Sequence, residues 1–105
     1  RPGNPRFTGD NYERNRAQVS KFRALAARLG HPPASLAIAW VMSRAPHLHA
    51  IPGTRTVAHL EELAAGAKIA LSAETLAEIE AVLPAGFAHG DRYSEAQAVG
   101  VERYC

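Results

Sequence analysis

Cysteine is almost missing from this sequence: Cys105, the last residue, is the only one. That excludes an internal disulfide framework and any cysteine-based zinc module. Long apolar runs are missing as well. None approaches the roughly 20 residues a bilayer-spanning helix requires, and the N-terminus has no signal-peptide pattern. A large charge of one sign is also absent. Twelve Lys and Arg against ten Asp and Glu leave +2, so a pI near 9.0 does not by itself imply a nucleic-acid partner. The chain is expected to be soluble and cytoplasmic. What is present is ordinary globular composition, 47% apolar and 21% charged over 105 residues. That length suits one small domain or a piece of a larger one. The chain opens on Arg1 and the turn-forming RPGNPRFTGDN rather than on Met, and is expected to be a fragment or a trimmed product.

A first helix is predicted after Asp10, with Asp10 and Glu13 in the spacing of a capping box. Val19, Phe22, Ala26 and Leu29 recur at helical spacing and mark its inner face, and Gly30 stands where a left-handed cap ends it. Arg14, Arg16, Lys21, Arg23 and Arg28 occupy the other side. Residues 1–29 hold seven basic and two acidic groups. A solvated outer face explains them, because the aromatic or glycine-rich companions of a phosphate-tracking surface are lacking. Pro32 forces an extended turn at His31, and Pro33 starts a second helix running to Ser43. Its ASLAIAWVM is apolar nearly all round, so it expects packing on several sides.

After Pro46, the run Leu48–Ile51 reads as a short buried strand. It is the one convincing strand in the sequence, and a lone strand leaves its backbone groups unpaired. Pro52-Gly53-Thr54 then turns the chain into a third helix, about Thr56 to Ala65, with Val57, Leu60 and Ala64 inward. Ser72 caps a fourth helix, Leu71 and Leu76 form a hydrophobic staple across its start, Leu76, Ile79 and Leu83 face inward, and Pro84 closes it. The tail from Ala85 reads as loop with a final helical turn. This order is that of the end of an α/β fold, the C-terminal part of a (β/α)8 barrel, mostly helical with one strand. Residues 48–65 supply its last strand and helix, and the helix from 73 to 83 lies outside the repeat.

Chemistry concentrates in IPGTRTVAHLEEL, residues 51–63. A strand ends, glycine permits close backbone approach, and a helix opens with free N–H groups whose dipole favours an anion, commonly a phosphate. Arg55 adds a permanent cation that grips a phosphate through two parallel hydrogen bonds. On pattern alone, a plain strand-to-helix turn with a surface arginine stays open.

The succession NPRF, ALAARLG, PPASLAIAWVMSR, AIPGTRTVAHLEE and LSAETLAEIEAVLP resembles the C-terminal third of an aldo-keto reductase, and GDRY (residues 90–93) resembles the tail of one bacterial branch of that family. The resemblance covers nearly the whole chain and implies one partial NADP-dependent oxidoreductase domain over residues 1–105. It implies a triosephosphate-isomerase-like barrel that reduces carbonyls with NADP(H), the adenosine 2′-phosphate being held by the segment after the last strand. Carried over, Gly53, Thr54 and Arg55 line the phosphate pocket. His59 falls where the family often has Arg or Gln facing that phosphate. Glu62 matches a glutamate on the adenine side, and Leu63 stands where Asn is usual. Leucine cannot hydrogen-bond the adenine amine, and His59 is a pH-dependent cation. The family's Asp, Tyr, Lys and His tetrad comes from earlier strands, and none of its motifs is here. Tyr12, Tyr93 and Tyr104 lie in other contexts, and Lys21 and Lys68 on helical or loop surfaces. No catalytic residue is assigned, and no carbonyl turnover is expected of this chain by itself. The implied partners are a small carbonyl substrate in the complete enzyme and, as an assembly, further copies of the chain, with no nucleic acid and no membrane.

Other candidates are weaker. His47 and His49, two apart, point to one side of a strand, but no third metal ligand is placed, and ordinary loop and strand histidines explain them. Nothing near Cys105 lowers its pKa. Glu61 and Glu62 are adjacent on a helix and point apart. Ser20 and Ser43 lack a nucleophile-elbow context. Two further classes remain beside the reductase: a small basic helical binding module, against which Glu61 and Glu62 would repel phosphates, and an inactive remnant acting as an interaction surface.

Overall fold

A computed structural model describes residues 3–99. Arg1, Gly100, Tyr104 and Cys105 lie outside them. A short 3₁₀ turn, Pro5–Phe7, leads into α1 (Gly9–Arg28), α2 (Pro33–Ser43), α3 (Val57–Gly66) and α4 (Ala73–Val82). The helix α1 begins earlier than the Asp10 cap predicts. Thr8 is its N-cap, and the Tyr12 amide closes the first turn on the Thr8 carbonyl at 3.2 Å. Asp10 therefore sits within the first turn, near the positive end of the helix, and Glu13 pairs with Arg16 at 4.0 Å rather than returning to a cap.

The end of α1 follows expectation. Gly30 has φ +73°, its amide reaches the Ala27 carbonyl at 3.1 Å, and the His31 amide reaches that of Ala26 at 3.0 Å. This doubled return of hydrogen bonds satisfies carbonyls the helix end leaves open, and glycine enters the left-handed region without the cost a Cβ imposes.

The core is small. Phe22, Leu25 and Ala26 of α1 meet Leu36 of α2 and Ile79 of α4, with Leu29, Trp40, Leu71, Val82 and Leu83 packed around them. The inner face of α1 is thus Phe22, Leu25, Ala26 and Leu29. Val19, expected there, is exposed, because the core-facing stripe begins one turn later. Ser72 caps α4 by accepting the Thr75 amide at 3.2 Å. Glu74, in that first turn, has its carboxyl held below the ordinary carboxylate range by a backbone hydrogen bond and by Ser72. Arg28 pairs with Glu78, and Arg44 with Glu80 at 2.6 Å, across to α4. The basic side of α1 is thereby partly neutralised. Exposed pairs of this kind contribute about 0–1 kcal/mol each.

Helix α3 is attached by a different principle. It buries no apolar side chain. Its buried residue is Gly66, and it packs on α2. Ser35 of α2, fully buried, donates from Oγ to the Glu62 carbonyl at 2.6 Å. Two small residues allow this close approach of backbones. Val57 and Leu60, expected to point inward, are 72% and 54% exposed, and Ala64 is exposed too. The expected strand over 48–51 is also overturned. No strand occurs among the described residues, the segment is irregular with the Leu48 amide donating to the Ala45 carbonyl at 3.1 Å, and Ile51 is 95% exposed. Both corrections have one cause: the surface these residues would be buried against is not built by residues 3–99. The accessible surface, 7951 Å², exceeds the about 5,700 Å² expected of a self-contained monomer of this mass.

The tail lies along the N-terminal segment. The carboxamide of Asn15 brackets His89, accepting its amide at 2.8 Å and donating to its carbonyl at 2.9 Å. Nδ2 of Asn15 also donates to the Arg6 carbonyl at 3.1 Å. Arg6 Nε donates to the Gly90 carbonyl, and Asn4 Nδ2 to that of Arg92, each at 3.0 Å. Gly90, at φ +82°, leaves no room for a side chain, since a Cβ there would stand 2.6 Å from Asn11 Nδ2. No helix among the described residues is long and apolar enough to cross a membrane.

Candidate functional site

The bend into α3 has its own hydrogen-bond logic. Thr56 caps the helix, its hydroxyl oxygen accepting the His59 amide at 3.2 Å, while the Leu60 amide takes the Thr56 carbonyl at 3.1 Å. Thr54 Oγ1 donates to the same carbonyl at 3.3 Å and tightens the turn. Four amides open any helix without an internal acceptor. With that of His59 taken by the Thr56 hydroxyl, Val57 and Ala58 keep theirs free of protein partners among the described residues. No acidic residue stands in this first turn, the position the helix dipole favours for an anion.

Against the start of α3 lies an open cleft of about 280 Å³ lined by Ala34, Gly53, His59, Glu62 and Leu63. It brings together four of the six residues expected at a cofactor site. Thr54 and Arg55 are not in its lining and lie on the exposed bend beside it. Arg55 has no carboxylate partner among the described residues. The Glu62 main chain is fixed by the buried Ser35 hydroxyl at its carbonyl, which sets the rotation of α3 and hence where His59 and Leu63 stand. Ala34 and Ser35 escaped the sequence reading. Their sequence signal is faint, because Ala34 shares its type with Ala37 and Ala39, and Ser35 is one of two hydroxyls in the helix, with Ser43. The histidines at 47 and 49 are both exposed, and His49 Nδ1 lies 3.0 Å from the His47 carbonyl. Among the described residues no three potential metal ligands gather.

The family comparison matches residues 1–84 to the aldo/keto reductase family, and the chain belongs to it. The fold of that family is the (β/α)8 barrel; among the described residues of this chain four helices and a short 3₁₀ turn occur, and no strand. Among curated proteins, the chain is 42% identical over 65 residues to pyridoxine 4-dehydrogenase of Escherichia coli (strain K12), covering 62% of this chain and 23% of that protein. It is 33% identical over 89 residues to probable aldo-keto reductase 1 of Glycine max, covering 85% of this chain and 26% of the relative. The chain therefore spans about a quarter of the length of the curated relatives it matches. No solved structure matches it. The bend, the cleft and the capped start of α3 all fall within the matched residues. The GDRY tail falls after them.

Proposed function

We propose that this chain forms the cofactor-phosphate end of an NADP(H)-dependent aldo-keto reductase. The observation that carries the reading is the cleft of Gly53, His59, Glu62 and Leu63 at the start of α3, beside an arginine that has no carboxylate partner, and two helix amides that have no acceptor, among the described residues. The residues fit the adenosine end of such a cofactor in a particular orientation. Glu62 is an anion and repels phosphate, but its carboxylate accepts hydrogen bonds from an amine or hydroxyl, so the adenosine body belongs at the Glu62–Leu63 end. Leu63 offers apolar contact to a base. The 2′-phosphate belongs toward Gly53, His59 and Arg55, where the free Val57 and Ala58 amides and the helix dipole add to the charge. When bound, the nicotinamide supplies the hydride that reduces a small-molecule carbonyl. The role of this chain is to anchor the far end of that molecule, because the catalytic acid and its partners belong to barrel strands that residues 3–99 do not supply.

Binding of NADP⁺ and NAD⁺ to the 15N-labelled chain tests this. NADP⁺ should shift the amides of Gly53, Arg55, Val57, Ala58 and His59. Arg55→Ala should weaken NADP⁺ about tenfold or more, the worth of a lost charge-assisted hydrogen bond, while NAD⁺ changes little. Equal losses for both nucleotides would remove Arg55 from the 2′-phosphate role.

A further inference from the structure

A second cleft lies far along the chain from the bend, where the N-terminal segment meets the tail. Its volume is about 320 Å³, and Asn4, Arg6, Phe7, Arg92 and Tyr93 line it. Two arginines share this lining with no carboxylate, and neither forms an ion pair among the described residues. Arg6 is half-buried and uses only Nε, which donates to the Gly90 carbonyl at 3.0 Å. Its terminal nitrogens have no protein acceptor among the described residues, an unfavourable state for partly buried donors. The Nε bond fixes the plane of the guanidinium, so those donors are pre-oriented. Arg92 is exposed; its main chain is held by Asn4 Nδ2, which donates to its carbonyl at 3.0 Å, and its guanidinium lies 5.5 Å from the centre of the Tyr93 ring. Two planar cations lining one small cleft, that of Arg6 anchored through Nε, match an oxyanion carrying two charges, which a guanidinium fork grips through paired hydrogen bonds. The Tyr93 ring in its lining gives a flat body apolar contact.

We infer that Arg6 and Arg92 form a binding site for a phosphate monoester carried on a planar ring. The site is separate from the nucleotide cleft and does not rest on that assignment. It exists only while the tail is docked, because its two arginines come from opposite ends of the described chain. Ligand and tail therefore stabilise one another.

Titration of the 15N-labelled chain with phenyl phosphate, inorganic phosphate, benzoate and benzyl alcohol tests the site, followed through arginine Nε–H and backbone signals. Phenyl phosphate should give saturable shifts at Arg6, Arg92 and Tyr93, with inorganic phosphate and benzoate weaker at the same residues and benzyl alcohol silent. Arg92→Gln should weaken phenyl phosphate about tenfold or more. Arg6→Lys should weaken it several-fold, keeping charge but losing the fork, with the Gly90 amide signal confirming that the tail stays docked. Shifts confined to Arg55 and the start of α3 would overturn the site, as would undiminished affinity in Arg92→Gln. Benzoate binding as tightly as phenyl phosphate would overturn the assignment to a dianion.

Discussion

Replacing Gly66 with alanine should detach α3 from α2 and lower the stability of the chain by about 1–3 kcal/mol, the usual cost of overpacking a tight contact. A Cβ at this position would stand 2.5 Å from the Ser35 carbonyl oxygen and 2.9 Å from Ile38 Cβ. Neither atom belongs to a side-chain end that can swing away, so the helices must separate. Alanine has better helix propensity than glycine by about 1 kcal/mol in a helix interior, and less at the last residue of α3, so the clash prevails. The movement would also stretch the bond from Ser35 to the Glu62 carbonyl and open the cleft between Ala34 and Leu63. Urea unfolding followed by circular dichroism should show a lower midpoint, and the α3 amides should exchange faster than those of α1. An unchanged midpoint with unchanged α3 exchange would show that the two backbones do not meet at Gly66.

The second large effect is expected at Asn15. Asn15→Ala removes three hydrogen bonds at once, leaving the His89 amide and the carbonyls of His89 and Arg6 without their partner. Orphaning partly buried backbone groups costs about 1–3 kcal/mol, and nearly all of it falls on the tail. Tryptic cleavage after Arg92 should then accelerate about tenfold or more, since 1.4 kcal/mol corresponds to a factor of ten. Cleavage after Lys68 should change far less. Asn15→Asp should be no milder than alanine at neutral pH, because it keeps the acceptor for the His89 amide but sets a carboxylate against two carbonyl oxygens. An unaltered rate at Arg92 in both variants would mean that Asn15 does not hold the tail.

The helices of this chain could be read from its sequence because their signals are local. Pro33 at a helix start, Gly30 past a helix end and Ser72 as a cap act through atoms a few residues away, and all three behave as expected. Asp10 misled because it has the right chemistry two residues from where the Thr8 carbonyl begins the ladder. The strand over 48–51 and the inward face of α3 were misplaced for a different reason. Their apolar pattern is real, yet a pattern states only that a residue suits burial, and burial needs an opposing surface. The bend into α3 was legible as a glycine, an arginine and a capped helix. The tail clamp was not, because Asn15 and His89 are 74 residues apart and asparagine carries no periodic signal. Ser35 escaped for the same reason: its worth depends on a carbonyl 27 residues away.

Trp40, the single tryptophan of the chain, packs beside the core with Arg44 at 5.2 Å from its ring, and its Nε1 is buried without an acceptor among the described residues. That makes it a built-in optical reporter of α1, α2 and α4 alone. Its emission should stay blue while the three-helix core persists and move red when that core melts. Helix α3, which carries no aromatic side chain, comes and goes without any such colour change.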